Sequence, residues 1–163
     1  MQLKNSKLVK DLEQLKLIVE NLQLKHKTVV FTNGCFDLIH PGHIYILEQA
    51  KAEGDTLIVG LNSDESIKKF KSKSRPICNQ DDRAYVLSGL SCVDYIFIFN
   101  ESTPEKLIMN ISPDVLVKGK DYQIKDIAGS DFMLEKKKRI KLVDIMEQKS
   151  TSNIVNQIKK SSS

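Results

Sequence analysis

Short apolar runs alternate with helical patterns along this chain, and this alternation restricts its possible folds more than any other feature. Five runs are rich in β-branched and other apolar residues on both faces, at residues 28–32, 55–61, 93–99, 115–118 and 140–143. Such runs predict strands of a parallel sheet that helices cover on both sides. We therefore expect an α/β fold, a three-layer domain with a five-stranded parallel sheet and helices on both faces.

The first 26 residues form a separate pattern. Residues 1–26 carry apolar side chains at helical spacing, from Leu8 to Leu22. They predict an N-terminal amphipathic helix that either packs on the rest of the chain or covers a partner subunit. Residues 27–160 fit one further domain, because 163 residues that are 40% hydrophobic can bury one ordinary core.

Composition excludes several classes of protein. The net charge of +4 is mild, whereas nucleic-acid binders usually carry a stronger basic bias, so we expect no nucleic acid as a partner. No apolar run approaches the ~20 residues that a membrane span needs. The three cysteines are odd in number and lack the spacing of zinc sites or disulfide frameworks. Together with a polar N-terminus, these features predict a cytoplasmic protein without membrane contact.

The segment 33–43 follows the first predicted strand and enters a helix. Two of the three histidines, His40 and His43, lie here three positions apart, which places both imidazoles on one side of a helical turn. Pro41 is favourable in the first turn, and Gly42 lets a ligand approach the backbone closely. Because a helix N-terminus presents unpaired N–H groups and partial positive charge, the segment predicts a phosphate site.

Two other interpretations of this segment are a pair of surface histidines and a zinc site. The first accounts for one histidine more easily than for two between a strand and a helix. The second needs a third ligand at the usual spacing, which the segment lacks.

The segment Thr32-Asn33-Gly34-Cys35-Phe36-Asp37, followed by His40-x-Gly42-His43, resembles the cytidylyltransferase-type branch of the nucleotidyltransferases. Matching strings extend the resemblance over residues 27–158: Gly54-Asp55, Asn62-Ser63-Asp64, Ser74-Arg75-Pro76, Pro113-Asp114, Lys118-Gly119-x-Asp121-Tyr122, Ala128-Gly129-Ser130 and Ser150-Thr151-Ser152. Within that family, the strings between 118 and 130 resemble the D-glycero-β-D-manno-heptose 1-phosphate adenylyltransferases more than the glycerol-3-phosphate cytidylyltransferases.

This resemblance implies a Rossmann-like domain and a defined reaction. A sugar-phosphate oxygen attacks the α-phosphorus of ATP, ADP-heptose forms and pyrophosphate leaves. Because the nucleophile is already an anion, no strong general base is needed, and catalysis consists of positioning and charge stabilisation. Mg²⁺ is expected to accompany ATP, bound mostly through water and phosphate oxygens.

The resemblance also implies roles for individual residues. The expected catalytic residues are His40, His43, Lys71 and Arg83. The residues expected to bind the nucleotide are Cys35, Phe36, Gly42, Lys69, Ser150, Thr151 and Ser152. The residues expected to bind the acceptor are Asn33, Asp37, Lys118 and Asp121. No protein ligand to a metal is expected.

Several of these residues also have an ordinary structural interpretation. Any lysine between 68 and 73 can belong to a solvated loop, and Arg83 can pair with Asp81 or Asp82 on a helix surface. Residues 150–152 can cap the last helix. Lys120 stands where the heptose branch of the family has a second glycine, and this change adds bulk and charge beside the expected acceptor pocket.

Two rival functions remain open from the sequence. One is a glycerol-3-phosphate cytidylyltransferase, and the other is a non-catalytic nucleotide-binding module that interacts with other subunits. The resemblance and the apolar N-terminal stripe together predict a homodimer. A separate sugar kinase in the same pathway is a further possible partner.

Overall fold

The computed structural model of the protein describes residues 7–71, 74–146 and 151–161, apart from the side chain of Lys159. The strands of the described residues are β1 (Leu8–Val9), β2 (Val29–Gly34), β3 (Thr56–Asn62), β4 (Tyr95–Phe99), β5 (Val115–Gly119) and β6 (Arg139–Val143). The helices are α1 (Leu12–Leu24), α2 (Pro41–Lys51), α3 (Asp64–Lys68), α4 (Gln80–Ser88), α5 (Glu105–Ile111), α6 (Ser130–Glu135) and α7 (Thr151–Ser161). A short 3₁₀ turn covers Ile124–Asp126.

The α/β architecture with a parallel sheet is confirmed, but the expected number of strands was wrong. The described residues form six strands in the order β1-β4-β3-β2-β5-β6, and every pair is parallel. The additional strand is β1, in which Leu8 pairs with Ile96 of β4. Two residues are too few to show the period-two pattern of a strand, so Leu8 was assigned to the helical stripe that follows.

The N-terminal helix begins later than the sequence pattern predicted. Asp11 caps α1, because its carboxylate accepts hydrogen bonds from the backbone N–H groups of Glu13 and Gln14 at 3.4 and 3.3 Å. Leu15 and Val19 of α1 are fully buried. The helix therefore packs on the sheet, while the division of the chain between residues 26 and 27 stays a prediction.

Alternating residues of the strands fill a core on each face of the sheet. Val30 points to the face that α2 and α4 cover, where it packs with Leu47 and Leu87. Val29 and Phe31 point to the opposite face. Both faces are apolar because each is covered by helices, which explains why the strands read as continuous hydrophobic runs.

The chain reverses its direction of progress across the sheet beside β2. Strands β3 and β4 lie on one side of β2, and β5 and β6 lie on the other. The loops after β2 and β5 therefore separate, and a crevice opens at the carboxyl ends of these strands, where ligands of such sheets bind. Below the crevice, the Thr32 hydroxyl donates to the Val117 carbonyl oxygen at 3.0 Å and holds the two strands together.

At the opposite end of the sheet, where the central strands begin, two carboxylates bind backbone N–H groups. Asp55 accepts a hydrogen bond from the Thr28 N–H at 2.8 Å, and Asp114 accepts one from the Val29 N–H at 2.9 Å. Both carboxylates satisfy backbone donors at the start of β2.

None of the described helices is long and apolar enough to cross a membrane.

Candidate active site

The turn between β2 and α2 brings the two predicted histidines into contact. His40 is the N-cap residue of α2, and Pro41 begins the helix. The rings of His40 and His43 are stacked with centroids 3.9 Å apart and planes at 30°. His40 is only 9% exposed. Two imidazoles and the first N–H groups of an eleven-residue helix therefore face the same space, which suits a phosphate group.

The environment of His43 keeps its ring neutral. Burial lowers the pKa of His43 to about 4, and the nearby His40 and Lys71 act in the same direction. Among the described residues, none hydrogen-bonds to the buried Nδ1 atom of His43. A neutral imidazole can donate one N–H to a ligand, and an anion bound beside it favours the addition of a second proton.

Phe36 holds the backbone of this turn in an unusual conformation. Its φ angle is +45°, in the left-handed region that costs a non-glycine residue about 1 kcal/mol or more. The ring is buried and lies 5.2 Å from the ring of His43, at an angle of 52°. Packing of the Phe36 ring, which also contacts His43, therefore holds the strained backbone in place.

Two adjoining cavities open at the carboxyl ends of the strands. The first cavity has a volume of about 420 Å³ and reaches His40, Gly42 and Ser152. The second cavity has a volume of about 440 Å³ and reaches Asn62 and Thr103. The residues that line both cavities are Asn33, Gly34, Cys35, Phe36, His43, Lys71, Lys118, Tyr122 and Thr151.

The two lysines in the shared wall supply its positive charge. Burial of the amine lowers the pKa of Lys118 to about 8, and Asp121 partly opposes this effect. The amine also lies 5.4 Å from the ring centroid of Tyr122, in a cation–π contact. Lys118 remains mostly protonated at neutral pH, so the wall between the cavities is cationic.

Residues 31–162 match the cytidylyltransferase-like family, which is most of the chain. The chain belongs to this family. Its catalytic class is that of a nucleotidyltransferase, and the resemblance stated from the sequence is confirmed.

Curated relatives of this cytidylyltransferase-like chain are much longer than it is. It is 52% identical over 151 residues to the bifunctional protein HldE of Campylobacter concisus, a match that covers 93% of this chain and 31% of the relative. It is 50% identical to the bifunctional protein HldE of Aliarcobacter butzleri, with 92% and 31% covered. The chain therefore spans about a third of the length of these relatives.

Solved structures share its fold. One is the lipopolysaccharide core biosynthesis protein of Thermoplasma volcanium, with a TM-score of 0.60 and 25% identity, covering 76% of this chain and 99% of that one. Another is a pantoate–beta-alanine ligase of Francisella tularensis, with a TM-score of 0.59 and 20% identity, covering 86% and 67%. The second likeness concerns the fold alone.

The cavities of this cytidylyltransferase-like domain collect most of the residues predicted from sequence. In addition to His40, ten of the predicted residues line the first cavity, and some of these also line the second: Asn33, Cys35, Phe36, Gly42, His43, Lys71, Lys118, Asp121, Thr151 and Ser152. Thr151 begins α7, and its hydroxyl donates to the carbonyl oxygen of Leu38 at 3.3 Å, which anchors this helix beside the turn. Ser150 lies outside the described residues.

Arg83 does not reach either of these cavities. It is 1% exposed, and its guanidinium donates to the carbonyl oxygens of Cys35, Asn62 and Cys78 at 2.5, 2.9 and 3.0 Å. It also pairs with Asp64 at 2.7 Å. The guanidinium is thus occupied by protein atoms, which places it in a supporting position beneath the turn. The alternative pairing with Asp81 or Asp82 is not the observed one.

Three other predicted or suspected residues point away from the shared wall. Asp37 lines the second cavity, but its carboxylate accepts from the Ile77 and Cys78 N–H groups at 2.8 and 3.0 Å. The amine of Lys69 donates to the Asn100 carbonyl oxygen at 2.8 Å. Lys120 pairs with Asp144 at 2.7 Å on the surface, so its bulk does not enter the cavities.

Sequence reasoning missed several residues of the first cavity. Arg75 lines this cavity, and its Nε lies 2.7 Å from a carboxylate oxygen of Asp37, an ion pair without a well-directed hydrogen bond. Ile145 and Met146 form an apolar part of the wall, although they are 43% and 41% exposed. The available signal was an apolar pair one residue after the last strand, at the carboxyl ends of the strands, where ligands bind.

The cysteine in the wall is not an activated nucleophile. Burial raises the pKa of the Cys35 thiol, and this effect outweighs the opposing influence of Lys71 and Arg83. The thiol is therefore protonated at neutral pH. This agrees with a packing role for the Cys35 side chain.

Proposed function

We propose that this nucleotidyltransferase transfers AMP from ATP to D-glycero-β-D-manno-heptose 1-phosphate, giving ADP-heptose and pyrophosphate. The observation that carries the proposal is the wall between the two cavities, where His43, Lys71 and Lys118 face both spaces. A reaction between two phosphorylated ligands needs such a shared cationic wall. The heptose acceptor is supported by the sequence strings between 118 and 130.

The first cavity is suited to ATP. Its apolar part, formed by Ile145, Met146 and the ring of Tyr122, can hold the base. His40, His43 and the first N–H groups of α2 then meet the α- and β-phosphates, while Thr151 and Ser152 meet the far end of the triphosphate. Arg75 adds a cation to this cavity, in the role that the sequence assigned to Arg83.

The second cavity is suited to the acceptor. The acceptor phosphate lies against Lys71 and Lys118. The Asn33 amide oxygen in the same wall is buried and has no hydrogen-bond partner among the described residues, so it can accept a hydrogen bond from a hydroxyl group of the acceptor. One phosphate oxygen of the acceptor forms a bond to the α-phosphorus of ATP. The bond between that phosphorus and the bridging oxygen breaks, and pyrophosphate leaves with the electron pair.

Charge stabilisation supplies the catalysis in this scheme. The lysines hold together two anions, the triphosphate and the acceptor phosphate, which repel each other in water. This lowers the entropic and electrostatic cost of bringing them into contact. His43 donates its N–H to an oxygen whose negative charge grows in the transition state. Cys35 and Phe36 contribute through their backbone, and Asp121 acts by orienting Lys118.

The site fits a magnesium ion that arrives with the nucleotide. No group of three or more His, Cys, Asp or Glu residues that could hold a metal occurs within the described ranges. We propose that Mg²⁺ would be bound by phosphate oxygens and water, as is common for ATP sites. Its contribution is to neutralise the charge of the triphosphate.

The proposal includes a biological setting. We place the protein in the cytoplasm, where ATP is available and where its three free cysteines stay reduced. A homodimer and a separate sugar kinase that makes the acceptor are further parts of the proposal. The word "bifunctional" in the names of the longer relatives fits a second activity outside the matched third.

A substrate matrix tests the proposal. The protein is mixed with ATP or CTP, Mg²⁺, and either heptose 1-phosphate or glycerol 3-phosphate, and pyrophosphate is measured. We expect release with ATP and heptose 1-phosphate. Release only with CTP and glycerol 3-phosphate would establish the cytidylyltransferase alternative, and no release with any pair would leave the non-catalytic module.

A further inference from the structure

The second cavity changes in chemical character from one end to the other. At the shared wall it presents the amines of Lys71 and Lys118. At the other end, the loop after β4 contributes Ser102 and Thr103, and the 3₁₀ turn after β5 contributes Asp126. One end is cationic, and the other carries two hydroxyls and one carboxylate.

The polar side chains of that outer end have no partners among the described residues. Within residues 7–71, 74–146 and 151–161, the side chains of Ser102, Thr103 and Asp126 make no hydrogen bond or ion pair, and all three residues are exposed. The neighbouring Asp37 carboxylate, by contrast, is occupied by two backbone N–H groups. The outer groups therefore retain their full capacity to bind a ligand.

The walls between these groups are ordered. Pro104 and Ile127 line the same cavity and are buried. The Asp126 N–H donates to the Gln123 carbonyl oxygen at 2.9 Å, and the Ile127 N–H donates to the Ile124 carbonyl oxygen at 3.1 Å. Lys69 holds the preceding loop through its bond to Asn100. Asp126 and Thr103 thus project from supported backbone on two sides of one space.

We propose that Asp126 and Thr103 bind the hydroxyl groups of the acceptor sugar and thereby determine which sugar phosphate the enzyme accepts. A carboxylate accepts hydrogen bonds from two neighbouring hydroxyls, and a threonine hydroxyl donates or accepts one. The phosphate lies at the lysines and the carbon chain extends toward Asp126. This inference rests on the proposed function, because it assigns the second cavity to the acceptor.

Steady-state kinetics of Asp126→Asn and Thr103→Val test this role. We expect the KM for heptose 1-phosphate to rise about tenfold in Asp126→Asn and about threefold in Thr103→Val, from the usual cost of losing charged and neutral hydrogen bonds. The KM for ATP should change less than twofold. Discrimination between heptose 1-phosphate and glycerol 3-phosphate, as a ratio of kcat/KM, should fall about tenfold in Asp126→Asn.

Asp131→Asn is the matched control, because Asp131 is an exposed carboxylate on α6 outside both cavities. An unchanged KM for the acceptor in Asp126→Asn, or an equal rise in Asp131→Asn, would overturn the inference. If the wild-type protein releases no pyrophosphate, the proposed function fails. Calorimetric binding of heptose 1-phosphate then tests the sugar site independently of turnover. Binding that weakens tenfold in Asp126→Asn supports the sugar site, and equal or absent binding overturns it.

Discussion

Replacement of Arg83 by methionine should destabilise the domain while leaving ATP affinity nearly unchanged. The substitution removes the donors from three carbonyl oxygens, those of Cys35, Asn62 and Cys78, and the cation from Asp64. Breaking a buried ion pair by removing one partner costs about 3–5 kcal/mol. Since the Asp64 side chain is 28% exposed and can regain water, we expect about 3 kcal/mol.

The consequence is measurable as a melting temperature. For a domain of this size, 1 kcal/mol corresponds to about 2–4 °C, so Arg83→Met should melt roughly 6–12 °C below the wild type. Urea unfolding followed by circular dichroism gives the free energy independently. Arg139→Met is the control, because its side chain is 59% exposed and its pair with Glu53 is a surface one. The control should lose less than about 1 kcal/mol.

ATP binding separates a supporting role for Arg83 from a direct one. Calorimetry below the melting transition should give Arg83→Met a Kd for ATP within about threefold of the wild type. Arg75→Met should weaken ATP binding about tenfold or more, because Arg75 lines the first cavity. Unchanged stability together with tenfold weaker ATP binding in Arg83→Met would refute this reasoning and return Arg83 to the phosphates.

Three further predictions concern the shared wall. His43→Ala should lower kcat for pyrophosphate release by ~10²-fold while the fold survives, as expected for a lost transition-state donor, and an unchanged kcat would remove His43 from the mechanism. Because the pKa of His43 is lowered to about 4 from 6.5, its neutral form contributes stability that is complete above pH 6.5 and is lost as the pH falls toward 4. The free energy of unfolding, measured with urea between pH 7 and 4.5, should therefore fall more steeply with decreasing pH for the wild type than for His43→Gln. Parallel pH dependences of the two proteins would contradict a buried neutral ring. Lys118→Met should raise the KM for both ATP and the acceptor about tenfold, because Lys118 lines both cavities, and a rise for one substrate alone would confine it to one of them.

The sheet could be predicted from the sequence because its central strands are covered on both faces and contain little except apolar residues. The histidine pair could be predicted because its chemistry depends on local spacing at a single turn. Strand β1 could not be predicted, since its two residues gain their structure only by pairing with Ile96 and Phe97 of β4. A long-range pairing of this kind leaves no periodic pattern in the sequence.

The two arginines show a second limit of sequence reasoning. Arg75 and Arg83 are eight positions apart, and both stand near a predicted phosphate site. Which of them is buried depends on carbonyl oxygens that three separate segments bring together around Arg83. Spacing along the chain contains no record of that arrangement, so the family strings alone could not show that the Arg83 guanidinium bonds to protein atoms and that Arg75 lines the first cavity.

Strings shared with a family also need not mark the site. Gly54-Asp55 and Pro113-Asp114 both match the family. Asp55 and Asp114, however, bind the backbone N–H groups of residues 28 and 29, at the end of the sheet away from the cavities. Their role is to begin β2. Only the position of a residue relative to the carboxyl ends of the strands separates these structural matches from functional ones.

The central claim is that two phosphorylated ligands meet at the wall formed by His43, Lys71 and Lys118, with transfer at the α-phosphorus of ATP. The most direct measurement uses ATP radiolabelled at either the α- or the γ-phosphate, with heptose 1-phosphate and Mg²⁺. We expect α-label in a sugar nucleotide and γ-label in pyrophosphate, in equal amounts. Transfer of γ-label to the sugar, or retention of both labels in ATP, would contradict it.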